Sequence, residues 1–106
     1  MIAPARQAAF DVLRAVGDGR ADLPGALARV RARMPDERDR ALCGEIATGT
    51  LRWQAAFDHV IAAFAGRPVE RLDPEVRDVL RMTAFQLLHL DRIPASATVG
   101  AAGKAP

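Results

Sequence analysis

The sequence predicts an all-α fold, a compact bundle of five to six short helices whose last member is truncated or frayed. Three observations lead there. Apolar residues recur at helical spacing from Ala5 to Leu90, and turn signals (Gly17-Asp18-Gly19, Pro35, Gly66-Arg67-Pro68) fall where that rhythm stops. No segment shows the alternation of a half-buried strand, an internal repeat or a low-complexity tract. A chain of 106 residues has room for one domain with one core, here residues 1–106.

The first helix begins at Ala5, because Ala5, Ala8, Ala9, Val12, Leu13 and Val16 make one stripe, and Gly17-Asp18-Gly19 stops it. Asp22 can cap a second helix with Pro24 in its first turn, where a missing N–H costs nothing. Leu23, Ala26, Leu27, Val30 and Met34 carry that helix to Pro35. Asp36, Glu37 and Asp39 suit the N-terminus of a third, whose inward positions read Leu42, Ile46, Gly49 and Trp53. The pattern runs on through Ala56, Phe57, Val60, Ile61 and Phe64, yet Gly44, Gly49, Thr48 and Thr50 weaken its middle. A break near residues 50–54 therefore separates helices three and four. Gly49 on the core side also lets another backbone come close.

Gly66-Arg67-Pro68 closes the fourth helix, and Asp73-Pro74 opens a fifth with a side-chain cap and a proline at its first position. Val76, Val79, Leu80, Thr83, Leu87 and Leu90 read as its buried stripe. Pro94 can open a sixth, but residues 94–106 hold almost nothing large and are expected to be poorly ordered or only partly helical.

The charge is formally +2, and it is uneven: residues 1–35 hold six Arg against three Asp, while 36–72 hold five Arg against six acids. An anion-binding face is thus weighted to the N-terminal third. The single cysteine, Cys43, cannot form an internal disulfide, and neither a secretory leader nor an apolar run of about 18 residues is visible. The expectation is a reduced, cytoplasmic, soluble protein without membrane contact.

Candidate chemistry is sparse. Gly17 and Gly19 follow a helix and not a strand, so no phosphate-cradling cofactor loop is read. Cys43 has no histidine near it in sequence and reads as a buried helix residue; His59 and His89 lack the partners that zinc demands and read as packing or surface groups. The Asp36-Glu37-Asp39 cluster is explained by one helix N-terminus. No catalytic residue, metal site or cofactor is expected.

Arginine is different. Fourteen of the fifteen cationic residues are Arg, whose planar head grips phosphate in a bidentate way. Arg6, Arg14, Arg29, Arg31, Arg33 and Arg40 concentrate in the first two helices and the turn to the third. Two readings stay open on this evidence. These side chains contact RNA phosphates, or they are solvated charge, since Arg29, Arg31 and Arg33 point in different directions around a helix. Five aromatic residues leave little for stacking bases, so recognition by phosphate and shape is favoured.

Arg6 with Ala9 and Leu13, then Asp39-Arg40, Gly49-Thr50-Leu51-Arg52, Phe57-Asp58, Val79-Leu80-Arg81, and above all Gln86-Leu87-Leu88 with Ile93-Pro94, resemble the NusB-like RNA-binding domain. The likeness spans nearly the whole chain. Leu51-Arg52 and Gln86 bring it closest to the N-terminal domain of the ribosomal RNA 5-methylcytosine methyltransferases. The resemblance implies a helical accessory domain that engages ribosomal RNA for a catalytic domain, and Arg6 matches the family's N-terminal arginine. Gly100 and Ala101 stand where the family has a polar-acidic pair and a long helix, and the S-adenosylmethionine domain is not in the sequence, so a fragment or a free-standing relative is expected. The rival expectation is a transcription antitermination factor or protein-interaction adapter, holding a partner protein or a second copy through an apolar patch between its terminal helices.

Overall fold

Pro4 presets the backbone of a first turn, and the alanine-rich stripe behind it forms α1, Pro4–Gly17. A computed structural model describes residues 3–90, and among them come α2 (Leu23–Arg31), α3 (Glu37–Arg52), α4 (Gln54–Ala65), a 3-10 turn (Val69–Arg71), α5 (Pro74–Phe85) and a π-helical turn (Gln86–Leu90). No strand occurs among the described residues. The all-α bundle of five helices stands as read from sequence; the sixth helix and the partial order assigned to 94–106 lie outside the described residues.

The start and stop signals act as anticipated. Asp22 Oδ1 accepts from the Gly25 amide, Asp36 Oδ1 from Arg38 and Asp73 Oδ1 from Glu75, each satisfying an orphan N–H of a first turn. At the end of α1 the Arg20 amide bonds Ala15 O and the Gly19 amide bonds Val16 O, with Gly19 at φ 74°. That pair closes the helix and needs a left-handed residue, which glycine adopts without a Cβ penalty. The break between α3 and α4 falls at Trp53 alone, whose φ of −104° and ψ of 18° end one helix and begin the next.

α1 sits at the centre, packed chiefly on α3, with α2 and α5 at its flanks. Its buried face is Ala5, Ala8, Ala9, Val12, Leu13 and Ala15, and α2 adds Ala26, Leu27 and Val30. Small side chains at 5, 8 and 9 let helix axes approach, so dispersion contacts accumulate across the α1/α3 seam. In these two helices the sequence phase and the structure agree.

Three phases are corrected. On α3 the inward residues are Cys43, Gly44, Ile46, Ala47 and Thr50, while Trp53 is 47% exposed. Ile46 belongs to both tracks, so the spacing admitted two faces one residue apart, and packing on the alanine face of α1 selects the smaller side chains. On α4, Phe57 and Ile61 are buried, whereas Ala56, Val60 and Phe64 face outward. On α5, Asp78, Met82 and Phe85 are buried; of the expected stripe Val76, Val79, Leu80, Thr83 and Leu87 are exposed, while Leu90 is half-buried against the core. On the inward face Asp78 meets Arg14 and Arg81, and Met82 and Phe85 pack into the core beside it. Gly49 does admit a close neighbour, but it is the Phe85 ring and not a backbone.

Cys43 is fully buried in α3. Burial pushes its thiol above the ordinary value of 9.0, and the charge of Arg31 offsets only part of that. The neutral thiol is no nucleophile at physiological pH. Its contribution to stability is complete below pH 9.0 and is lost as the pH rises through the higher folded value. We expect Cys43 to react with a thiol-specific chromogenic disulfide at least about 100-fold more slowly in the native protein than in urea, because access requires opening of α3. Equal rates in both would place the sulfur at the surface.

Candidate nucleic-acid interface

Helices α1 and α2 are joined by a tight turn, and a cleft of about 360 Å³ opens between them. Its floor is apolar: Val12, Ala15, Ala26 and Val30. Its walls carry Arg14, Arg20, Arg29 and Arg33, with Asp11 the one carboxylate among the lining residues. Four guanidinium groups line the cleft, with Asp11, Asp18 and Asp78 as the carboxylates that pair with three of them, so a small excess of positive charge remains there.

The four are not equivalent. Arg14 is committed to the fold: Nη1 reaches Asp78 Oδ2 at 2.9 Å and Nη2 reaches Asp18 Oδ1 at 2.7 Å, and only 17% of its side chain is exposed. The hydrogen bond to Asp78 raises its pKa further, against the opposing effect of burial. Arg20 sits 3.3 Å from Asp18, and Arg33 is 3.8 Å from Asp11; both are well exposed, and pairs of that kind are worth under about 1 kcal/mol. Arg29 is exposed and forms no ion pair among the described residues. Arg20, Arg29 and Arg33 are therefore the groups that can turn to an incoming phosphate at small cost.

Arg14 belongs to a longer chain of charges. Asp78 also accepts from Arg81 Nη1 at 3.3 Å, and Arg81 grips Asp58 in a fork at 2.6 and 2.8 Å. Arg20, Asp18, Arg14, Asp78, Arg81 and Asp58 alternate in sign from the α1 turn across α5 to α4. Burial lowers the pKa of Arg81, but the hydrogen bond and charge of Asp58 outweigh it and the net shift is upward.

The other sequence candidates stand apart. Arg31 leaves α2 on the side of α3, its Nη2 lying over Gly44. Arg40 Nη1 donates to Met34 O at 2.6 Å and ties the first turn of α3 to the connection that follows α2. Arg6 Nε donates to Gln86 Oε1 at 2.5 Å, tying α1 to the residue that follows α5. The structure thus gathers Arg14, Arg29 and Arg33 and separates Arg6, Arg31 and Arg40 from them. Arg20 was missed; the glycine turn that folds it back beside α2 was the available signal. Among the described residues no cluster of three or more potential ligands could hold a metal ion, and no helix is long and apolar enough to cross a membrane.

Comparison with known proteins adds an independent line. Residues 3–105 match the model of the NusB family. The chain is 38% identical over 95 residues to the ribosomal RNA small subunit methyltransferase B of Pseudomonas putida, covering 90% of this chain and 21% of that protein. It is 42% identical over 100 residues to a putative methyltransferase of Mycobacterium tuberculosis, covering 91% and 21%. A shorter match, 33% over 58 residues, is to the transcription antitermination protein NusB of Coxiella burnetii, covering 55% of this chain and 42% of that one. The chain spans about a fifth of the length of the methyltransferases it matches. No solved structure matches it.

Proposed function

The chain belongs to the NusB family, and from that membership we propose that it is an RNA-binding accessory domain. It engages ribosomal RNA through phosphate contacts, as the N-terminal domain of a ribosomal RNA 5-methylcytosine methyltransferase does, in the cytoplasm. The observation that carries this reading is the α1/α2 cleft, where three exposed guanidinium groups with weak or no internal partners surround an apolar floor. Arg14 serves there as a support that fixes the turn, and Arg20, Arg29 and Arg33 hold the polyanion. Bond-making belongs to a methyltransferase catalytic domain acting in cis or in a complex; the chain needs no metal or cofactor for its own part. Matches covering nine-tenths of the chain favour this over antitermination, whose named relative matches just over half.

With about three phosphate contacts on a single strand, affinity for a ribosomal RNA fragment should fall roughly 10–20-fold between about 50 and 200 mM salt. Filter binding on Arg29→Ala combined with Arg33→Glu should reduce RNA retention about tenfold and flatten that salt slope, since a phosphate that no guanidinium neutralises keeps its counterions. Retention and slope both equal to the parent protein's would remove the cleft from the interface. Arg40→Ala is the matched control, because its guanidinium is engaged with Met34 O and lies outside the cleft.

A further inference from the structure

The arginine cleft continues along the seam between α1 and α2. A second hollow of about 200 Å³ adjoins it, and the two share Asp11, Val30 and Arg33 as lining residues. Together they run beside α1 from Pro4 to Ala15, about 16 Å at about 1.5 Å per residue. Successive nucleotides of a stacked strand lie about 3.4 Å apart, so the groove is long enough for several. No aromatic side chain lines it among the described residues. A base lying there meets aliphatic carbons on its face, and what distinguishes one base from another is its edge.

Asp11 stands where the two hollows meet, and its carboxylate repels phosphate oxygens. What it accepts are N–H groups, and a base edge carries them. Oδ1 takes one hydrogen bond from Gln7 Nε2 at 3.1 Å, which orients the carboxylate on α1. Oδ2 lies 3.8 Å from Arg33 Nη2, beyond hydrogen-bonding distance, and the Asp11 side chain is 43% exposed. A carboxylate has about four acceptor sites, so both oxygens keep lone pairs for a ligand. The bases differ in what they show to such a group. Guanine alone presents two adjacent donors, N1–H and N2–H, that two carboxylate oxygens can accept together. Adenine and cytosine set an acceptor nitrogen beside the amino group, and uracil flanks its N–H with two carbonyls. Each of these turns a lone pair toward Asp11.

We propose that the α1/α2 groove contains a guanine-reading subsite, in which Asp11 accepts from N1–H and N2–H of an unpaired guanine while Arg29 and Arg33 hold the flanking phosphates. The inference rests on the reading of the cleft as an RNA site and adds a sequence preference to it. Gln7 is a positioning residue there, holding the carboxylate through Oδ1.

Fluorescence anisotropy tests it, with an oligouridine and with the same strand carrying one central guanosine, inosine or adenosine. The guanosine strand should bind about tenfold tighter than oligouridine, the lower end of what a bidentate base contact discriminates. Inosine, which keeps N1–H and lacks the N2 amino group, should fall between the two, and adenosine should bind as uridine does. Asp11→Asn offers one acceptor and one donor. It should abolish the guanosine preference and raise affinity for oligouridine, because a negative charge leaves the cleft. A folding defect would lower that affinity instead. Equal binding of all strands by the parent protein, or a guanosine preference that survives Asp11→Asn, overturns the subsite and leaves the cleft an RNA site without sequence preference. Failure of every strand to bind, or binding indifferent to Arg29→Ala combined with Arg33→Glu, overturns the reading of the cleft itself and the subsite with it.

Discussion

Asp78→Ala is expected to destabilise the bundle by about 3 kcal/mol, the lower end of the cost of breaking a buried ion pair. The side chain is 7% exposed and accepts from Arg14 and Arg81, which are 17% and 11% exposed. Truncation leaves two partly buried cations short of a partner, and that unpaired charge, more than the missing attraction, sets the magnitude. The effect is limited because Arg81 keeps its fork to Asp58 and Arg14 keeps Asp18. For a domain of this size the melting temperature should fall by roughly 12–24 °C. Urea unfolding followed by dichroism reads it, with the slope against denaturant unchanged. Removing Arg14 in the same chain, as Arg14→Leu with Asp78→Leu, should recover part of the stability, since neither charge is then stranded. A cost below about 1 kcal/mol would mean that water solvates the network as it does a surface pair.

Asp78 also shows what patterning can and cannot say. The spacing Val76, Val79, Leu80, Thr83, Leu87 is a sound amphipathic stripe, and its failure to be buried among residues 3–90 is not a failure of periodicity. A stripe states which face gains from burial; it does not state which surface is available to cover it. The neighbours α5 actually meets include Arg14 on α1, Asp58 on α4 and Gly49 on α3, all distant from it in sequence. Ion pairs separated by 64 and 23 positions leave no local signature. α1 and α2 were read in the right phase because their turns are short and their stripes have no second apolar track, and the three aspartate caps were legible because capping is a local event.

The arginine candidates divide in the same way. Their concentration in the N-terminal third was visible as composition, and the structure brings Arg14, Arg29 and Arg33 to one cleft. Their individual states depend on geometry that composition does not carry. Arg14 is tied to two carboxylates, Arg40 to a carbonyl and Arg6 to Gln86, 80 positions away. Arg20 joins the cleft only because Gly19 adopts a left-handed conformation and folds the chain back.

Gly49→Ala and Gly44→Ala should move stability in opposite directions, although both put a methyl group in the middle of α3. A Cβ at Gly49 would overlap Cε1, Cζ and Cδ1 of Phe85. That ring cannot retreat: it is 5% exposed, stacks on His89 at 5.2 Å and takes the edge of Phe57 at 6.5 Å. Overpacking of a held ring costs about 1–3 kcal/mol, and alanine returns at most about 1 kcal/mol in helix propensity. The net loss should be near 2 kcal/mol, reached by pushing α5 from α3 and disturbing the seat of Asp78 as well. A Cβ at Gly44 meets only the outer end of the Arg31 side chain, which is exposed and free to swing aside. There the propensity gain survives, and Gly44→Ala should be neutral or stabilising by up to about 1 kcal/mol. Paired urea titrations decide the matter: equal effects at the two sites would mean that backbone propensity alone governs α3, and that the contact of Gly49 with Phe85 places no constraint on how closely α3 and α5 pack.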